Sequence, residues 1–214
     1  MSLRGRYADA RVVFSAARNL AERDTRTVVR LDLLLNDAFN AIQDRHLDEA
    51  LVLLEEGRRS AGDEPDYRVD FECLVVRLAA DWAVEARRAG DRALERRWIE
   101  TAQKSREWIS QFVQSGAILT RTGRHSLPLV EGELARAEGR STPAAWEAAE
   151  AELGEKGFPW EAAYASFRRA EALKEIGANP VVVIAGLDQA EATARAIGAD
   201  GLARWVEDLR GTTQ

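Results

Sequence analysis

The chain has 214 residues, 46% apolar and 31% charged, enough to bury a substantial core and too apolar for an acidic disordered tail. Thirty basic against thirty-six acidic side chains give a formal charge of −6, which repels a phosphate backbone and disfavours direct nucleic-acid binding. One cysteine, Cys73, leaves no internal disulfide and no cysteine zinc site, so a reducing cytoplasm is the expected compartment.

The first element is an amphipathic helix over residues 6 to 22, where Tyr7, Ala10, Phe14, Ala17 and Ala21 recur at steps of three and four. Val28, Leu31, Leu35, Ala38 and Ile42 continue the pattern. Leu47, Ala50, Leu51 and Leu54 then form a shorter helix that stops near Gly62, and together the two read as a helical hairpin. After the turn-like GDEPD, the stripe Phe71, Leu74, Leu78, Trp82, Ala86 and Ala89 ends at Gly90, with Asp91 starting a partner helix marked by Trp98, Ala102, Ile109 and Phe112.

Residues 115 to 126, SGAILTRTGRHS, break the pattern and predict a long connection. A helix over Leu127 to Glu138 ends at Gly139. Ser141 or Thr142 caps the next, with Pro143 in its first turn, where a missing donor is harmless. Further helices are expected over Phe158 to Ile176, Pro180 to Ile197 and Leu202 to Leu209, closed in two cases by Gly177 and Gly198. The prediction is all-α, with about ten helices and no strand. The longest aliphatic run, Val181 to Leu187, is seven residues, far short of the roughly 20 that span a bilayer. The N-terminus lacks a signal-peptide apolar core, and Met1, Ser2 and Leu3 have the look of an expression scar ahead of a segment of something larger.

Gly139 and Gly177 are 38 residues apart, and Gly157 and Gly198 are 41 apart, close to the period of two-helix solenoid repeats. Small and aliphatic residues at helix-pairing positions fit a tetratricopeptide-like pattern: Ala38, Ala50 and Leu54 around Asp44 to His46, and, with a turn one residue longer than the consensus, Ala170, Leu173, Val183, Leu187 and Ala190 around Gly177. The match around Gly90 is looser, with Ala83 and Ala86 before the turn and Leu94 and Trp98 after it. The expected architecture is one domain, residues 1 to 214, a right-handed solenoid of such hairpins, with an irregular helical bundle as the alternative.

Residues 137 to 177 read AEGRSTPAAWEAAEAELGEKGFPWEAAYASFRRAEALKEIG. Trp146 on an alanine-rich helix, the Gly157-x-Pro159 turn, the step Ala163-Tyr164-Ala165 and the run Ala170-Glu171-Ala172-Leu173 resemble the C-terminal helical region of large bacterial LuxR-type transcriptional regulators. Residues 190 to 209 continue the likeness, while the first 120 match only as generic hairpins. The resemblance implies a non-catalytic sensor and protein-interaction arm, binding a protein, a peptide or a small effector, beside other modules of a parent regulator. Similar tails follow ATPase modules in cyclase-type signalling proteins. No phosphate loop of the form G-x-x-x-x-G-K-[ST] occurs in these residues, and no helix-turn-helix segment follows Leu209 within them.

Signs of chemistry are sparse. His46 and His125 sit in separate turns without a second ligand at metal spacing, so neither a metal nor another cofactor is expected. Glu55 and Glu56, Glu147 and Glu150, and Glu171 and Glu175 fit a solvated helix face better than acid-base work. Cys73 beside Phe71 and Leu74 fits packing, and Ser60, Ser105 and Ser110 lie in no nucleophile elbow. A self-contained helical enzyme and a homodimeric scaffold are the rival readings.

Arg87, Arg88, Arg92, Arg96 and Arg97 form one dense basic cluster, interleaved with Glu85, Asp91, Glu95 and Glu100, which favours mutual compensation along the helix. Trp108, next to the stripe of Ile109 and Phe112, is a candidate rim anchor. If Gly139 and Gly177 each close a first helix, inward positions fall at Ser126, Glu133 and Arg136, and at Tyr164, Phe167, Glu171 and Lys174. These mix charge with aromatic surface, as a groove that reads a partner does. In that arrangement Arg136, Tyr164 and Glu171 can be replaced together without loss of folding.

Overall fold

A computed structural model describes residues 9–10, 12–13, 16–17, 27–62, 64–116 and 121–211. All the regular structure among them is helical. The residues described before Thr27 are helical, with Ala10 buried; Tyr7, Phe14 and Ala21 of the predicted first stripe lie outside the described residues. Nine helices follow among the described residues: α1 Thr27–Gln43, α2 Leu47–Ala61, α3 Pro65–Ala89, α4 Arg92–Gln114, α5 Arg121–Ala137, α6 Pro143–Glu155, α7 Pro159–Glu175, α8 Pro180–Ala196 and α9 Asp200–Gly211. They fall into two compact units, one up to Gly139 and one from Arg140 onward.

In the first unit, α1 buries Leu31, Leu34, Leu35, Ala38, Ala41 and Ile42, and α2 answers with Leu47, Ala50, Leu53 and Leu54. Val28, predicted on the stripe, is 43% exposed, because the packed face of α1 begins one turn later. Alanine at positions 38, 41 and 50 keeps the helices close. Gly57 serves the same end: a Cβ there would lie 2.0–2.5 Å from ring atoms of Phe71, so the α3 phenyl ring packs directly onto the α2 backbone.

Helix α3 starts with Pro65 at its first turn and ends at Gly90, whose φ of 75° is a left-handed cap that glycine adopts without Cβ strain. Asp91 then caps α4 by accepting from the backbone N–H groups of Ala93 and Leu94. Val69, Cys73, Val76, Ala79, Ala80 and Ala83 face Trp98, Ala102 and Ile109 of α4 and Val130 and Ala137 of α5, while Phe71, Val75 and Leu78 face the α1–α2 core. With apolar residues turned toward both cores, α3 is the spine of this unit. Trp82 stacks on Trp98 with ring centroids 5.7 Å apart.

The predicted connection over 115 to 126 is shorter than expected. Helix α5 already begins at Arg121 and carries Pro128 inside it. Its packing against α3 overrides weak local propensity and the cost of one missing N–H.

In the second unit, Thr142 caps α6, with Pro143 following as predicted, and Ser141 instead accepts from the Trp146 indole Nε1 at 2.8 Å. Helices α6, α7, α8 and α9 pack in chain order, and α7 also meets α9. Trp146, Leu153, Tyr164, Phe167, Ala170, Val183, Leu187, Leu202 and Val206 are buried. Gly186 of α8 lies against Ala170 of α7, where an added Cβ would sit 3.4 Å from the alanine Cβ. This close approach is what the small residues at the predicted α7–α8 hairpin allow.

Candidate functional site

Because α3 has no wholly exposed face, the charges it carries at helical spacing must find partners inside. Arg136 of α5 supplies the main one. Its Nη2 donates to Asp81 Oδ1 at 2.7 Å, and its Nε donates to Glu133 Oε2 at 2.8 Å; all three side chains are at most 4% exposed. Arg45, in the turn between α1 and α2, reaches Asp81 Oδ2 at 3.5 Å and pairs with Glu85 one turn further along α3. Arg77 lies over the Phe39 ring of α1 at 5.7 Å, and the Gln43 amide oxygen, oriented toward it, accepts from both Nη atoms at 3.0 Å. Nearer the start of α3, Arg58 and Arg68 both donate to Oε1 of the fully buried Glu72, at 2.9 and 3.2 Å. Helices α1, α3 and α5 are thus joined through buried charged side chains.

Glu133 and Arg136 were placed by the sequence pattern on an open groove. The structure puts both in the interior, where the Arg136 guanidinium is shared between Glu133 and Asp81. Ser126, on the same predicted line, is half-buried. Solvent reaches this network at Arg45 and Glu85, with side chains 47% and 39% exposed, and at the half-buried Arg58 and Arg68.

Tyr164 and Phe167 are also buried. Tyr164 stacks on Trp160 at 5.4 Å and meets Trp146 and Trp205 edge-on, each at 6.4 Å, while Phe167 touches Trp205 at 6.0 Å. The guanidinium of Arg168 lies over both Tyr164 and Phe167, donates from Nε to the Tyr164 hydroxyl at 2.8 Å, and donates from Nη1 to Glu171 Oε2 at 2.7 Å. Glu171 and Lys174 remain half-buried at the edge of this aromatic cluster, with Lys174 Nζ 3.5 Å from the Leu209 carbonyl. Of Tyr164, Phe167, Glu171 and Lys174, only the last two keep a polar edge that a partner can touch.

Trp108 is half-buried and stacks on Phe112 at 5.5 Å, and Arg68 lies 4.4 Å above its ring. It is a partly covered rim residue, held from the α3 side. On the opposite side of α4, a groove of about 200 Å³ runs between α4 and α5, floored by Ile109, Val113, Leu127 and Val130 and bridged by Arg106 and Glu131 at 2.7 Å.

The other chemically suggestive residues have structural partners. The Cys73 thiol is buried, and desolvation with Asp70 and Glu72 nearby pushes its pKa well above the ordinary thiol range, which removes the thiolate a nucleophile needs. Glu147 and Glu150 both lie 3.5 Å from Arg169 Nη1. His46 is exposed and 3.2 Å from Asp44; the side chain of His125 lies outside the described residues. Among the described residues no group of three or more His, Cys, Asp or Glu side chains is placed to hold a metal ion. No helix among them is long and apolar enough to cross a membrane.

Sequence reasoning missed Asp70, Glu72, Arg77 and Asp81 as interior charges. The available signal was the all-round apolar character of LVVRLAADWAVEA, which leaves no solvated face for Arg77 and Asp81. No family model, no curated protein and no solved structure matches the chain.

Proposed function

We propose that this chain is a non-catalytic interaction arm, a right-handed array of tetratricopeptide-like hairpins that serves as the sensor segment of a bacterial LuxR-type transcriptional regulator in the cytoplasm. The observation that carries the reading is the order of packing. Within each unit every substantial helix contact joins helices one or two apart in the chain, with α1, α3 and α5 in one series and α7 and α9 in the other. Stacked hairpins have this nearest-neighbour character, and they use one exposed flank of the stack to receive a partner. The likeness of residues 137 to 177 to the family's C-terminal region supports the same assignment.

The partner is a protein, a peptide or a small effector, with other modules of the parent regulator alongside. Glu171 and Lys174 in the second unit offer half-buried polar edges and Trp108 in the first a half-buried aromatic one, while Tyr164 and Phe167, and Glu133 and Arg136, fix helices of their own units. Binding then shifts the balance between states of the regulator.

A thermal-shift and calorimetric screen of peptides and small effectors against the purified chain tests the assignment. A saturable ligand that raises Tm and is recovered unchanged supports it, since binding to the native state alone stabilises by mass action. A ligand recovered as product replaces it with the enzyme reading. A chain that binds neither class and runs as a dimer by light scattering replaces it with the scaffold reading.

A further inference from the structure

The basic cluster around Gly90 is not self-compensated in the folded chain. Of its four interleaved acids, Glu85 is taken by Arg45 from the α1–α2 turn. Asp91 caps α4, accepting from the backbone N–H groups of Ala93 and Leu94, so its charge offsets one of the five arginines without pairing with any of them. Glu95 is held between Arg87 Nε at 2.6 Å and Arg92 Nη1 at 2.9 Å. Arg87 is itself fastened to α5, donating to the backbone carbonyls of Arg136 and Ala137. Glu100 is the one acid left, and it follows Arg96 by four residues, the weaker order for a helical ion pair.

What remains at the surface is positive. Arg88 and Arg96 are exposed and make no ion pair among the described residues. Arg97 is exposed over the Trp98 ring at 5.6 Å. The Arg92 side chain is 77% exposed beyond its single bond to Glu95. The backbone beneath them is fixed by the left-handed Gly90, the Asp91 cap and the Arg87 clip, so these guanidinium groups leave a rigid corner.

We propose that this α3–α4 corner is a docking surface for an acidic protein segment rich in Glu or Asp. Arg92 and Arg96 stand one turn apart, about 6 Å along the α4 axis. Alternate side chains of an extended segment recur at roughly 6.6 Å, so carboxylates at every second position meet successive arginines. A duplex nucleic acid is the poorer fit, because its long anionic array would also face Glu85, Glu100 and a chain of net charge −6. The proposal names a partner class for the interaction-arm reading; if it fails, that reading stands with a partner seated elsewhere.

The test is fluorescence anisotropy on the whole chain at low ionic strength, with a fluorescein-labelled alternating Glu-Ser peptide and its Gln-Ser counterpart. Saturable binding of the Glu peptide alone is expected, weakened by added salt. Arg88→Glu combined with Arg96→Glu should weaken it tenfold or more with an unchanged circular dichroism spectrum, while Arg88→Lys with Arg96→Lys keeps most of the affinity. Absence of saturable binding, equal binding of the Gln peptide, an unaffected charge-reversed variant, or displacement of the peptide by a lower concentration of duplex DNA would each overturn the proposal.

Discussion

Arg136 on α5 donates to Asp81 on α3 at 2.7 Å across 55 residues of sequence, with both side chains out of solvent. Glu133 shares the same guanidinium, so one cation serves two interior carboxylates and ties α5 to α3. Removing Arg136 leaves both carboxylates in the interior without that cation.

Arg136→Met is therefore expected to destabilise the chain by about 3–5 kcal/mol in urea unfolding. Adding Asp81→Asn and Glu133→Gln to that background should recover most of the loss, because no like-charged pair is then left behind. A loss under about 1 kcal/mol for the single change would show that water reaches the cluster. By the same reasoning the combined change at Arg136, Tyr164 and Glu171, harmless if the three line an open groove, is expected to impair folding.

Gly57→Ala should destabilise although alanine is the better helix former. The propensity gain is about 1 kcal/mol, and forcing a methyl group against a packed ring costs about 1–3 kcal/mol. With the Phe71 ring inside 2.5 Å of the new Cβ, the upper end of that cost applies. Phe71→Leu in the alanine background should relieve the clash and lessen the cooperative loss, which a double-mutant cycle by denaturation reads directly.

The acid side of the stability curve depends in part on Glu95 and Glu191. Hydrogen bonds from Arg87 and Arg92 hold the Glu95 carboxyl below its ordinary range, and Arg195 and Arg210 do the same for Glu191. A carboxyl lowered in the folded state contributes stability above its unfolded value, about 4.3, and loses it as pH falls through the folded value. Glu95→Gln and Glu191→Gln should each lower Tm at neutral pH and flatten its decline below about pH 4, as calorimetry across that window would record. A decline as steep as in the parent chain would rule out this contribution.

Cys73 should resist thiol reagents in the native chain at mildly alkaline pH and react once in denaturant, since burial both blocks access and disfavours the thiolate. Rapid native labelling would mean that α3 opens locally far more readily than the rest of the unit.

Tyr164→Phe should cost about 1–3 kcal/mol, the price of leaving the Arg168 Nε donor without its acceptor inside the aromatic cluster. The near-ultraviolet circular dichroism of the tryptophans around it should change, whereas far-ultraviolet helicity should not.

The sequence by itself determined the helices and the places where many of them stop. A stripe such as Leu31, Leu35, Ala38 and Ile42 needs only the 3.6-residue period, and caps such as Gly90, Asp91 and Thr142 act within four residues of themselves. The beginning of α5 was not legible, because Arg121 to Ser126 has weak local signals and its helix depends on packing against α3. The fate of the polar positions was also decided only in three dimensions. Periodicity tells which residues share a face of one helix, but not whether a second and a third helix close over that face. Glu133, Arg136, Tyr164 and Phe167 shared the expected faces and still became interior, since α3 lies against α5, and α9 against α7. Conversely, the arginines around Gly90 looked compensated along the chain and were left positive at the surface, because the fold drew Glu85 to Arg45, 40 residues away, a pairing that depends on which groups the tertiary structure brings within reach.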